Sequence, residues 1–157
     1  MPKNLGVKGY QEMRVRSASP EQLILMLYDG ALRFLRQAIK ALEEKQLETA
    51  HNNLIRTQNI LTELIASLDL EEGGKIASNL LRIYEFMHRT LVQANLKKEP
   101  EPARQIMKQI KKLRESWATA MKNMQEQQQQ NSNPSGKNAY NSAGTENGIK
   151  KNIELTG

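Results

Sequence analysis

The sequence predicts an all-α protein: an antiparallel up-down four-helix bundle with an irregular N-terminal arm and a disordered C-terminal tail. Three observations carry that expectation. Leu occurs 19 times against 3 for Val and 2 for Phe, a balance that favours helix over sheet. Four stretches repeat apolar residues at spacings of three and four. Glycine and proline breaks separate the second stretch from the third and the third from the fourth, and short connections make neighbouring helices antiparallel.

Residues 1–18 are basic, with scattered apolar residues and glycines, and read as an irregular arm. Ser19-Pro20-Glu21-Gln22 follows, a capping box with Ser as N-cap and Pro at the first helical position. The first helix carries Ile24, Tyr28, Ala31, Leu35, Ala38 and Leu42 to about Lys45, roughly 40 Å of rise. The second carries Leu47, Ala50, Leu54, Thr57, Leu61, Leu64 and Leu68, with Gly73-Gly74 expected to stop it. The third carries Ile76, Leu80, Ile83, Met87, Thr90 and Ala94. Pro102 is placed to open the fourth, whose seam is Ala103, Ile106, Ile110, Leu113, Trp117, Ala120 and Met124.

The bundle domain is therefore read as 19–125. From 126 to 157 only 6 of 32 residues are apolar, and 17 are Gln, Asn, Gly or Ser, too polar to offset chain entropy by burial.

Composition narrows the function classes. There is no cysteine, hence no disulfide, thiolate metal site or thiol nucleophile. No stretch is apolar for long enough to insert in a membrane, and MPKNLGVKGY lacks a secretory h-region, so a cytoplasmic protein is expected. The net charge of +6 raises nucleic-acid binding. Yet no basic run is interleaved with aromatics, and no nucleic-acid partner is expected. Two Glu-x-x-His motifs, Glu48 to His51 and Glu85 to His88, raise a carboxylate-bridged di-iron bundle. The first and fourth seams carry no Glu, and Glu48 and Glu85 lie outside theirs, so no metal, cofactor or enzymatic activity is expected.

The first helix is apolar on more than its seam: Leu23, Ile24, Leu25, Met26, Leu27 and Tyr28 run consecutively. Ile55, Ile60 and Ile65, then Leu81, Tyr84, Leu91 and Val92, also lie off their seams. Surplus of this kind marks an interaction strip. Beside it sit Asn52, Asn53, Gln58 and Asn59; Asn is a poor helix former, and these amides suit the main chain of a partner segment.

The run from Ser17 to Ala31 (SASPEQLILMLYDGA) closely resembles the signature of the flagellar secretion chaperone FliS family, as does Ala50 to Ile60 (AHNNLIRTQNI). Ser67-Leu68-Asp69-Leu70, Asn79-Leu80 with Tyr84, and Leu113-Arg114 with Trp117 continue the likeness in order. Ser17 stands where Thr is more usual, and the likeness does not reach past about residue 126. It implies a chaperone that holds the disordered C-terminal segment of flagellin, prevents premature polymerisation and delivers it to the export gate protein FlhA, joined in some bacteria by FliW. Client contacts are then expected on Asn52, Ile55, Gln58, Asn59, Ile60, Leu81 and Tyr84. A lid or gate-docking role falls to Tyr10, Met13 and Val15.

Overall fold

A computed structural model of the chain describes residues 13–131. After a helical turn at 13–17, four helices follow: α1 (Pro20–Glu43), α2 (Leu47–Ala66), α3 (Leu70–Lys97) and α4 (Pro100–Asn131). Two units separate after Ala118, and the bundle belongs to the first.

The start of α1 is as its sequence dictates. Ser19 accepts from the Gln22 amide at 3.2 Å, and Gln22 Oε1 accepts from the Ser19 amide at 2.9 Å. Between α1 and α2, Lys45 adopts φ 57°, so the Lys45 and Gln46 amides close back on Leu42 and Ala41. That pair of bonds is a Schellman closure, here with Lys in the left-handed position that glycine usually fills.

Several expected boundaries move. α2 ends at Ala66, ahead of the glycine pair, and Asp69 caps the next helix by accepting from the Glu71 and Glu72 amides at 3.1 and 3.0 Å. Gly73-Gly74 falls inside α3 as a kink, with Gly74 at φ 52°. The fourth helix opens at Pro100, and Pro102 sits within its first turn, where main-chain N–H groups lack partners anyway. At its far end α4 runs through the good helix formers Glu126 and Gln127–130 to Asn131, so 126–131, assigned above to the polar tail, are helical and exposed. Residues 13–17 are likewise helical where an irregular arm is expected.

Cross-links fix the antiparallel order. Arg104 pairs with Glu43 at 2.6 Å and Arg114 pairs with Asp29, which align α4 against α1. Gly30 lies against Ile60, and Arg56 stacks over Phe34, which align α2 with α1. The core is Tyr28, Leu32, Leu35, Ile39, Leu42, Leu54, Leu61, Leu64, Tyr84, Met87, Leu91, Ile106 and Ile110 with alanines between.

The seams of α1 and α2 are buried over most of their length, and that of α4 as far as Ile110. Leu113 and Trp117 are half-buried; Ala120 and Met124 are exposed. The third seam is corrected. Ile76 is 74% and Ile83 38% exposed, while Ala77, Tyr84 and Leu91, each one residue later, fill the core beside Met87 and Ala94.

Candidate functional site

The apolar run on α1 is where the surplus surfaces. Leu23, Ile24, Leu25, Met26 and Leu27 are all half-buried, the only stretch of five consecutive apolar residues in that state among the described residues. A cavity of about 490 Å³ opens beside them, between the first turns of α1, the last turn of α2 and Trp117 of α4. Leu23, Ile24, Leu27, Ala66 and Trp117 give it apolar walls; Glu63 and Ser67 stand at its polar side. The Trp117 indole donates from Nε1 to the Glu21 carbonyl at 2.8 Å, which satisfies the ring's one polar atom and leaves its faces apolar. A pocket of this size, mostly apolar with a few polar groups, is what ligand sites look like. Sequence reasoning marked the α1 run but assigned Trp117 only to the core seam. What it lacked was the pairing that brings Trp117, midway along α4, to the start of α1.

The second candidate surface is the junction of α2 and α3. Asn95 donates to His51 Nδ1 at 3.0 Å and accepts from Lys98 Nζ at 2.5 Å, which fixes the sides of the two helices that face each other. Ile55 and Gln58 follow His51 by four and seven residues, and Leu81 and Tyr84 precede Asn95 by fourteen and eleven. Helical spacing therefore puts all four at this junction. Ile55 and Leu81 are half-buried there. Asn52, Ile55 and Asn59 form one i, i+3, i+7 stripe, and the two amides on it are exposed and make no side-chain hydrogen bond within the described residues.

Three expected contact residues differ. Ile60 stands five residues from Ile55, about 140° around the helix, and packs on α1 instead. Tyr84 is 2% exposed, its hydroxyl 2.5 Å from that of Tyr28 in the core. Burial raises both phenols above the ordinary tyrosine value, and Tyr84 further than Tyr28. Gln58 is 8% exposed with Nε2 unpartnered. Asn53 is buried as well and donates to the Thr49 carbonyl of its own helix.

Met13 and Val15 are 69% and 46% exposed on the turn before α1. Tyr10 lies outside the described residues. His51 is exposed and His88 half-buried, and His51 is engaged by Asn95. Among the described residues, no helix is long and apolar enough to cross a membrane.

The match to known proteins covers this same region. The family model "Flagellar protein FliS" matches residues 3–124. A flagellar secretion chaperone FliS of Bacillus subtilis is 35% identical over 112 residues, 71% of this chain and 83% of that protein. That of Salmonella typhimurium is 38% identical over 117 residues, 71% of this chain and 87% of that protein. That of Escherichia coli is 30% identical over 111 residues, 70% and 82% respectively. On a family match that spans 3–124 and relatives that share about a third of its residues, the chain belongs to the FliS family of flagellar secretion chaperones.

Proposed function

We propose that this protein binds the C-terminal segment of flagellin in the cytoplasm, keeps it from polymerising and presents it to the export gate protein FlhA. The half-buried Leu23–Leu27 run around the Trp117 cavity carries the proposal. A folded monomer gains nothing by leaving five neighbouring apolar residues part-wet unless a partner covers them. Apolar side chains of the client fill the cavity. The exposed amides of Asn52 and Asn59, on either side of Ile55, bond its main chain along the α2–α3 junction. Leu81 adds apolar surface on the facing helix. Gln58 Nε2, buried without a partner, is a donor that a client carbonyl oxygen would satisfy. Gate docking falls to the exposed Met13 and Val15 with Tyr10, and FliW is a partner of the loaded complex rather than of this surface.

Calorimetry with a flagellin C-terminal peptide tests this, with one peptide bound per chain expected. Leu27→Asp and Ile55→Asp should each weaken binding at least about tenfold, or about 1.4 kcal/mol, with helix content unchanged by circular dichroism. Ile60→Asp should instead lower stability, because that side chain packs on Gly30 and the core. A folded protein that binds no peptide refutes the proposal.

A further inference from the structure

Ile76 and Ile83, expected inside the bundle on α3, face outward instead, and they belong to a heptad seam. Ile76, Asn79, Ile83, Phe86 and Thr90 follow one another at three and four residues, the a and d positions of a coiled-coil strand. Ile76 is 74%, Ile83 38% and Phe86 50% exposed. The Thr90 hydroxyl donates to the Phe86 carbonyl at 2.9 Å, so its polar atom is already engaged by its own helix. Along one edge of the seam, Lys75, Arg82 and Arg89 recur every seven residues, at the flanking g position. All three are exposed, and none is in an ion pair among the described residues. The other edge is Leu80 and Met87, which turn into the bundle.

We propose that this face of α3 is a docking surface for an acidic amphipathic helix of a second protein, distinct from the client held at the sites above. Charge decides the occupant. A second copy laid antiparallel on the same seam would set Lys75, Arg82 and Arg89 against themselves, and a parallel copy would set them against Leu80 and Met87. Neither arrangement offers the row a counter-charge. The ends of this chain do not supply it either: 1–12 carries two Lys and one Glu, and 132–157 carries three Lys and two Glu. A foreign helix with an apolar a/d stripe and Glu or Asp along the facing edge does, and Asn79 at one d position would set its register.

The test uses the full chain and two synthetic helical heptad peptides with Leu at a and d, one with Glu and one with Lys at every e and g. Fluorescence anisotropy should show the Glu peptide binding at least tenfold tighter than the Lys peptide, with the difference shrinking as salt rises. Saturating flagellin peptide should not displace it, which separates this face from the client sites. Ile76→Ser with Phe86→Ser changes side chains that are 74% and 50% exposed and should abolish binding with helix content intact. Lys75→Glu, Arg82→Glu and Arg89→Glu together should invert the peptide preference. Equal affinity for the two peptides, displacement by the flagellin peptide, or binding indifferent to these variants overturns the proposal. So does concentration-dependent dimerisation by light scattering that Ile83→Ser abolishes, since that would make a second copy the occupant.

Discussion

Tyr28 and Tyr84 are the most demanding polar pair in the molecule, and their removal separates a core role for Tyr84 from a client role. The two rings are 1% and 2% exposed, and their hydroxyl oxygens lie 2.5 Å apart. Neither hydroxyl has another side-chain or main-chain partner among the described residues. Tyr84→Phe therefore strands the Tyr28 hydroxyl in the core, and Tyr28→Phe strands that of Tyr84. A buried hydroxyl without a partner costs about 1–3 kcal/mol, so each single variant should lose about 2 kcal/mol. The double variant removes donor and acceptor together, keeps both rings and their packing, and should lose under about 1 kcal/mol. Simple addition would give about 4 kcal/mol, so the expected coupling is near 3 kcal/mol, at the upper end of what contacting residues show. Urea denaturation followed by circular dichroism reads this directly, because whole-domain stabilities are about 5–15 kcal/mol. Flagellin-peptide affinity, measured where all variants are folded, should not change. A double variant as unstable as the sum of the singles refutes the reasoning. A Tyr84→Phe protein of normal stability that has lost peptide affinity would return Tyr84 to the client surface.

The same pair sets the alkaline behaviour. Both folded-state phenols titrate above their unfolded value near 10, so the folded chain holds its protons longer. Their contribution is fully present below about pH 10 and is lost as pH rises beyond it; the Tyr28→Phe, Tyr84→Phe double variant should show a shallower alkaline fall in urea midpoint than wild type. Gly30 gives a test of close packing. A Cβ there would meet Ile60 Cδ1 at 3.2 Å, and that atom is the free end of a half-buried side chain. Gly30→Ala should change stability by under about 1 kcal/mol, because the helix-propensity gain of similar size offsets a small shift of Ile60. Gly30→Val, with two more methyls at the same place, should cost about 1–3 kcal/mol by thermal melting.

The start of α1 was legible because it is a local chemical statement: Ser19 with Gln22 satisfies amides within one turn, whatever the rest of the chain does. Stops were less so. Gly73-Gly74 reads as a terminator, but α2 has already ended and Asp69 has already capped the next turn. The candidate site was legible as a quantity of apolar surface, not as a place. Ile55 and Ile60 look equivalent in sequence, and only the neighbours of α2 decide that one opens on the α3 side and the other packs on Gly30. The cavity at Trp117 needed a pairing between residues 96 positions apart, which no local pattern encodes.

The error of one residue on α3 has a physical cause that also explains the face it left outside. That helix carries two apolar stripes, Ile76, Ile83 and Phe86 beside Ala77, Tyr84 and Leu91, and periodicity alone ranks the first higher because its side chains are larger and branched. Packing ranks them the other way. Ala77 admits close approach, and Tyr84 is the side chain whose hydroxyl the buried Tyr28 requires, so rotating α3 to bury Ile83 would strand both phenols. Had the first stripe no use, single polar substitutions at Ile76 or Phe86 would cost the fold nothing and would reduce exposed apolar area. The stripe instead keeps a heptad register over two repeats and carries an aligned basic edge, a combination the bundle does not use. One helix thus presents one seam to its own chain and another outward, and the outward one has the pattern that a helical partner reads.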